Sequence, residues 1–324
     1  MKEGLVSVIM PVYMDYPYII KTLDSIISQT YRPIEVLIVY TPGDEKTLDV
    51  IENASQNYEF IRILESEARG PSPARNIGIR KSRGEYIVFI DADDYWDSNF
   101  LDACIRAIKE YSADTCVTDY YIIFENGKRN RVANLVKFPT VLDFLNEKAW
   151  IRAGNSVLSS KIIKKTGIRF RESLFYGEDT LFFLMYLLNA QKVVSVQEPL
   201  FYKTIRKGSI TTDAELVTRR IEQAILSAKI FESYVLLRSF ENSNEILRAF
   251  YRRKLPRDKL ISNIRMAKDR LKAIELFLRY WRYLSKFDIG FDYYSLSAVV
   301  SLIDVFIPGT QRLLSYLFDI LRRM

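Results

Sequence analysis

The sequence predicts an α/β domain built on a mostly parallel sheet and followed by a helical region. Three observations carry that expectation. Apolar strand-like runs alternate with helical periodicity over the first 124 residues or so, the pattern of βαβ units. The strand-like runs are almost wholly apolar, as in strands covered on both faces. From Ala214 to Lys286 there is one proline, Pro256, and no glycine, while Leu, Ile, Ala, Lys, Arg and Glu dominate.

Taken in order, residues 5–10 (LVSVIM) read as a buried strand ending at Pro11. Ile19, Ile20, Leu23, Ile26 and Ile27 keep helical spacing up to Gln29. Residues 34–40 (IEVLIVY) are a second strand, bounded by Pro33 and by Thr41-Pro42-Gly43. A helix over about 44–55 and a strand near 60–64 follow. The loop RGPSPARN leads into a short helix ending near Ser82. Residues 86–90 (YIVFI) form a strand, Ser98 suits the N-cap of a helix to Tyr111, and 114–124 (DTCVTDYYIIF) is another strand. These elements place one domain over residues 1–213 and a basic helical region over 214–324.

Composition narrows the chemistry. The 324 residues are 48% hydrophobic and 27% charged, which fits a chain with a substantial core. There is no histidine, so His-based triads, bases and metal ligands are excluded, and acid–base work falls to Asp, Glu, Lys, Tyr or Cys. A metal site would have to use oxygen ligands, which favours Mg²⁺ or Mn²⁺ over zinc. Cys104 and Cys116 make no disulfide framework, and a reduced, cytoplasmic setting is expected. The run 5–10 is too short for a signal core, and no apolar stretch is long enough for a spanning helix.

The net charge is +7, and it is unevenly placed. Residues 248–286 contain 13 Lys/Arg and 3 Asp/Glu, a local +10 that leaves −3 for the rest. A basic tail on a neutral to acidic body points to an anionic partner.

Asp91, Asp93, Asp94 and Asp97 crowd the end of the 86–90 strand. In an α/β sheet, ligands collect beyond the carboxyl ends of the strands. In extended backbone, residues i and i+2 face one side, so Asp91 and Asp93 can aim two carboxylates at one divalent cation. That cation would offset their repulsion and bridge to phosphate oxygens. The alternative is a polar turn before a helix N-terminus, where aspartate is common.

Several segments, taken together and in order, resemble glycosyltransferase family 2 with the GT-A fold: VSVIMPVY (6–13), LDSIISQTYRPIEVLIV (23–39), GPSPARNIGI (70–79), GEYIVFIDADD (84–94) and FYGEDTLF (175–182). The likeness covers about residues 4–210. It implies an inverting, metal-dependent transfer of a sugar from a nucleotide-sugar donor, a UDP-sugar by the common family pattern. The acceptor would be a hydroxyl of a glycan, polymer or lipid-linked molecule. Pro11, Val12 and Tyr13 would line the nucleotide pocket, and Arg75 would sit near the diphosphate. Asp91 and Asp93 would hold the metal and donor. In Gly177-Glu178-Asp179, Asp179 would be the base and Glu178 would position the acceptor. The stretch YKTIRKGSIT (202–211) is similar to a loop over the donor, so that Arg206, Lys207 and Ser209 would touch the diphosphate.

The sequence departs from that pattern after the second strand, where many members have Val-Asp-Asp-Gly-Ser and this chain has Val39-Tyr40-Thr41-Pro42-Gly43-Asp44. Met14 and Ala68 stand where asparagine is usual. These departures bear on the choice of nucleotide, and Tyr40 could stack on its base.

For the basic region three readings compete: docking on the cytoplasmic face of an anionic membrane, packing as a helical subdomain or homo-oligomer contact, and nucleic-acid binding. The last is disfavoured, since no nucleic-acid-reading motif is present. Two further apolar segments, 296–309 and 311–324, have lengths suited to interfacial or buried helices. Two other classes of protein share these features: a non-catalytic, membrane-associated scaffold that keeps the fold, and a nucleotidyltransferase that would release diphosphate.

Overall fold

A computed structural model describes residues 2–206, 213–267 and 269–285. The chain divides into two compact units, Met1–Arg206 and Lys207–Met324.

In the first unit, β1 (Lys2–Val12), β2 (Ile34–Tyr40), β3 (Ile61–Glu65) and β4 (Gly84–Phe89) are mutually parallel, in the order β3-β2-β1-β4. All seven residues of β2 are buried: the apolar ones by their hydrophobicity, and Glu35 because its carboxylate accepts from the Ser7 hydroxyl and from the Arg83 backbone and side chain. Helices α1 (Tyr18–Ile27), α2 (Glu45–Asn57) and α3 (Pro71–Lys81) make the crossovers. Helix α1 buries Ile19, Leu23 and Ile26 on one face. The Asp44 carboxylate caps α2 by accepting from Thr47 N at 2.7 Å. Helix α3 starts with Pro71, whose fixed φ suits a first turn. It comes so close to β1 that a Cβ on Gly78 would run into Ile9.

Beyond β4 the sheet changes direction. Nine strands pair among the described residues. They continue with β5 (Tyr95–Trp96), β6 (Thr115–Phe124), β7 (Arg129–Val132), β8 (Ser156–Ser159) and β9 (Val193–Ile205). Strand β8 lies antiparallel between β4 and β6, β6 runs parallel to β9, and β5 and β7 pair antiparallel at the margins. Helix α4 (Phe100–Tyr111) follows β5. Three more helices join the later strands: α5 (Val141–Leu145), α6 (Ser160–Thr166) and α7 (Glu178–Leu187).

Three local expectations are corrected. Strand β1 does not stop at Pro11 but runs to Val12. The Ile9 carbonyl accepts from Ile90 N at 3.1 Å, so residue 9 turns its backbone groups toward β4, and residue 11, two further on, does the same. Strand β4 ends at Phe89, so the N–H that proline lacks falls where no strand lies alongside. Helix α4 begins one residue later than expected, with Asn99 rather than Ser98 at its N-cap. The Ser98 carbonyl accepts instead from Thr30 N at 2.9 Å. Finally, residues 202–205 are not loop: they end β9, where the Tyr202 ring stacks on Tyr95 at 4.7 Å.

In the second unit, α8 (Val217–Arg238) follows a 3₁₀ turn at Ala214–Leu216 and buries Ile221, Ala224, Ala228, Phe231 and Val235 along one stripe. Arg220 on the same helix is fully buried. Its guanidinium donates to Asn263 Oδ1 at 2.6 Å and to the Asp213 carbonyl at 2.7 Å, which satisfies a charge that would otherwise be costly to bury. Helix α9 (Ser243–Ala249) passes into a wider π-helical stretch at Phe250–Ile261 that accommodates Pro256. The short α10 (Ser262–Ile264), α11 (Arg270–Arg279) and α12 (Trp281–Leu284) complete the described part. No helix among the described residues is long and apolar enough to cross a membrane. The segments 296–309 and 311–324 lie outside the described residues.

Candidate functional site

The site grows from the carboxyl end of β4. Phe89, its last residue, packs edge-on against Phe170, Phe182 and Phe183 at 5.2, 5.6 and 6.5 Å. Phe170 stacks on Phe182 at 4.0 Å. Because Phe182 and Phe183 belong to α7, this aromatic cluster brings that helix's N-terminus, with Glu178 and Asp179 in its first turn, to the strand that ends just before Asp91. Asn76 on α3 clamps the approach. Its amide donates to the Phe170 carbonyl at 2.9 Å and to Glu172 Oε1 at 2.8 Å, and its oxygen accepts from Phe170 N at 2.9 Å.

Arg75, one residue earlier, joins the two acidic groups. Its side chain is buried and lies over the Phe170 ring at 5.1 Å. It donates to Asp91 Oδ1 at 2.6 Å, and Nη1 stands 3.7 Å from Glu178 Oε1. Nε and Nη1 are buried without a hydrogen bond, leaving donors turned into an acidic site. Burial disfavours the guanidinium's charge, but Asp91, Glu178 and Asp179 together hold its pKa above the ordinary value. Burial also works against the Asp91 carboxylate, and Arg75 and Lys203 overcome it to pull that pKa down. The Asp179 charge acts on both Asp91 and Arg75. Asp179 Oδ1 accepts from Thr180 N at 2.6 Å.

The other side of the aspartate loop is held by β9 and α1. Burial and the neighbouring Asp91 push Asp93 up, while Arg206 and Lys203 pull the other way. Arg206 Nε is 2.9 Å from Asp93 Oδ2, and its Nη2 donates to Asp15 Oδ1 at 3.1 Å. Asp15 is itself buried, and its other oxygen accepts from Tyr13 N at 2.8 Å. Asp94 is 1% exposed; burial pushes its pKa up to about 7 against the pull of Lys203. Its Oδ1 accepts from Thr204 N at 2.7 Å, and Lys203 Nζ is 3.8 Å from Oδ2. Asp94 thus anchors β9 beside the site. The Thr22 hydroxyl on α1 lies within hydrogen-bond reach of the Ala92 and Asp94 carbonyls, at 2.9 and 2.7 Å.

Thr22→Val keeps the shape but leaves two buried carbonyls without that donor. The expected result is a loss of about 1–3 kcal/mol in urea unfolding, with Thr22→Ser much closer to wild type.

Of the residues singled out in the sequence, Arg75, Asp91, Asp93, Glu178, Asp179 and Arg206 form one charged group. Pro11 and Val12 end β1 beside it. Tyr13 follows, 40% exposed, with the Arg69 guanidinium 5.7 Å from its ring. Ser209 and Lys207 lie outside the described residues. Tyr40 is buried and its hydroxyl donates to the Asp44 carbonyl at 3.1 Å, so it serves the loop rather than offering a ring for stacking. Asp15 and Lys203 were not singled out. Each pairs with a residue far away in sequence, and only the β9 strand, unrecognised in the sequence, reveals the connection.

Asp91 and Asp93 fit a divalent cation. They offer hard carboxylate oxygens from one loop, and the positive charge they need is at present drawn from Arg75, Arg206 and Lys203. No three His, Cys, Asp or Glu residues among the described ones gather into a complete cage. Mg²⁺ and Mn²⁺ are commonly held by one or two carboxylates together with substrate phosphates and water.

Residues 7–167 match the profile of a family described as glycosyl transferase family 2. Glycosyltransferase GlyA of Streptococcus pneumoniae is 28% identical over 226 residues, 64% of this chain. The match spans only 32% of GlyA's length. The fold is similar to that of Staphylococcus aureus TarS in complex with UDP (TM-score 0.65, 19% identity, 93% of this chain and 88% of that one). It is also similar to that of the Pyrobaculum calidifontis mannosyltransferase PcManGT in complex with GDP-Man and Mn²⁺ (TM-score 0.55, 16% identity, 95% and 82%). The architecture is that of GT-A folds.

Proposed function

Because the chain belongs to glycosyltransferase family 2, we propose that it transfers a sugar, with inversion, from a nucleotide-sugar donor to an acceptor hydroxyl. One observation supports this reading: the buried Arg75 guanidinium draws Asp91 and Glu178 into one ion-paired group, within range of the Asp179 charge.

Asp179 is the base. Its carboxylate takes the proton of the acceptor hydroxyl. The oxygen so freed attacks the anomeric carbon, the bond from that carbon to the diphosphate oxygen breaks, and the electron pair leaves with the nucleoside diphosphate. Glu178 holds the acceptor. Arg75 orients Asp91 and lends positive charge near the diphosphate, where a rigid fork of donors suits phosphate oxygens. Tyr13, after Pro11 and Val12, lines the nucleotide side. Asp91 and Asp93 would hold Mn²⁺ or Mg²⁺, which would neutralise charge on the departing diphosphate. Arg206 holds the Asp93 oxygen that such an ion needs and carries the charge that a diphosphate needs. Held by Asp93 and Asp15, it would bring that charge to a bound diphosphate. A UDP-sugar is the donor class we favour, in keeping with the UDP complex of TarS. The acceptor is a glycan, a polymer or a lipid-linked molecule.

The test is nucleoside diphosphate release from a panel of UDP- and GDP-sugars, with and without Mn²⁺. Release that requires Mn²⁺ and is stimulated by an acceptor is expected. No metal-dependent release from any donor would overturn the reading in favour of a scaffold. Release of a sugar 1-phosphate in place of nucleoside diphosphate would overturn it in favour of nucleotidyl transfer.

A further inference from the structure

Helix α11 and the short α12 after it are apolar on two faces. One face is accounted for: Ala273, Leu276, Tyr280 and Leu284 are buried. The other is not: Leu271 is 80% exposed, Leu278 64% and Trp281 52%. Leu271 and Leu278 are seven residues apart, two helical turns, and therefore share a face; Trp281 follows three residues on. Packing among the described residues of this unit does not call for large apolar side chains at these positions.

The charges around this stripe are basic. Lys272 and Arg279 flank it, and exposed Arg282 follows Trp281. Two carboxylates oppose them among the described residues of the two helices and their cap: Asp269, which caps α11, and Glu275, 2.8 Å from Lys272 and 2.7 Å from Arg279, so that the second is divided between two cations. The surrounding segment, residues 248–286, carries 13 Lys/Arg against 3 Asp/Glu. Exposed leucines with a tryptophan, bordered by Lys and Arg, are the residues of a helix lying in a membrane interface. The apolar side chains enter the acyl boundary, the indole sits at headgroup level, and the cations meet lipid phosphates.

We propose that the outer face of α11 and α12, centred on Leu271, Leu278 and Trp281, docks the protein on an anionic lipid bilayer. Charge complementarity selects this occupant: a net +10 segment fits a negatively charged surface. The inference does not depend on the reaction proposed above.

The experiment is co-sedimentation of the full chain with phosphatidylcholine vesicles and with vesicles containing phosphatidylglycerol. Wild type is expected to partition at least tenfold more strongly onto the phosphatidylglycerol vesicles, and added salt should weaken that binding. Leu278→Glu/Trp281→Glu should lose at least tenfold in partition while keeping the wild-type far-ultraviolet circular dichroism. Lys272→Gln/Arg282→Gln, which leaves the apolar stripe intact, should weaken binding to a lesser degree and reduce its salt dependence. Wild-type failure to bind phosphatidylglycerol vesicles, or equal binding by Leu278→Glu/Trp281→Glu, would overturn the proposal. So would self-association of wild type in the absence of vesicles that the Leu278→Glu/Trp281→Glu variant lacks, since the face would then belong to a second copy of the chain.

Discussion

Asp179→Asn is expected to yield a folded protein that binds donor as wild type does and transfers sugar about 10²–10⁴-fold more slowly. The substitution keeps the size of the side chain. It also keeps the oxygen that accepts from Thr180 N at 2.6 Å, so the first turn of α7 should be undisturbed. What is lost is the capacity to take a proton. Steady-state kcat with a saturating acceptor, alongside donor Kd by calorimetry, separates the two effects. A fall in kcat with unchanged Kd supports the assignment. Turnover near that of wild type would mean that another group removes the acceptor proton, and Glu178 would be the first to examine.

The second large effect concerns stability. Arg75→Met should cost about 3 kcal/mol, because removing one partner of a buried ion pair strands the others. Asp91, whose side chain is 31% exposed, and Glu178, 12% exposed, would face each other and Asp179 without their shared cation. Urea unfolding gives the number directly. Arg75→Lys should recover only part of it, since a point charge cannot span both carboxylates as a fork does. Adding Glu178→Gln to Arg75→Met should restore some of the loss by removing one stranded charge. A double variant no more stable than Arg75→Met would show that packing against Phe170, rather than charge, is what Arg75 supplies.

The first half of the domain was legible because its signals are local. A largely apolar run such as residues 34–40 suits a strand covered on both faces, as in a parallel sheet, and prolines and glycines mark its ends. The acidic landmarks were legible for the same reason: Asp91 and Asp93 follow a strand, and Glu178 and Asp179 open a helix. The second half hid its strands. Strand β8 has four residues, two of them serine, and β5 has two. Neither shows a period that a window of sequence could detect. Strand β9 is long, but Gln197, Glu198 and Pro199 interrupt its apolar pattern, and its register with β6 shifts twice near Asp119. Missing β9 meant missing Lys203 and the Arg206–Asp15 pair, which joins residues 191 positions apart. Asp15 also sits where its local context reads as an ordinary turn. Its role comes from a distant strand.

Pro11 carries a consequence beyond its place near the end of β1. Where β4 stops at Phe89, β1 is left with a bare flank in the middle of an otherwise continuous sheet. Such a flank invites an extended segment, from this chain or a neighbour, to zip alongside and fill the space beyond β4. A residue that offers no hydrogen there gives an intruding strand less to grip, so the end of β1 is guarded by a bond that cannot form.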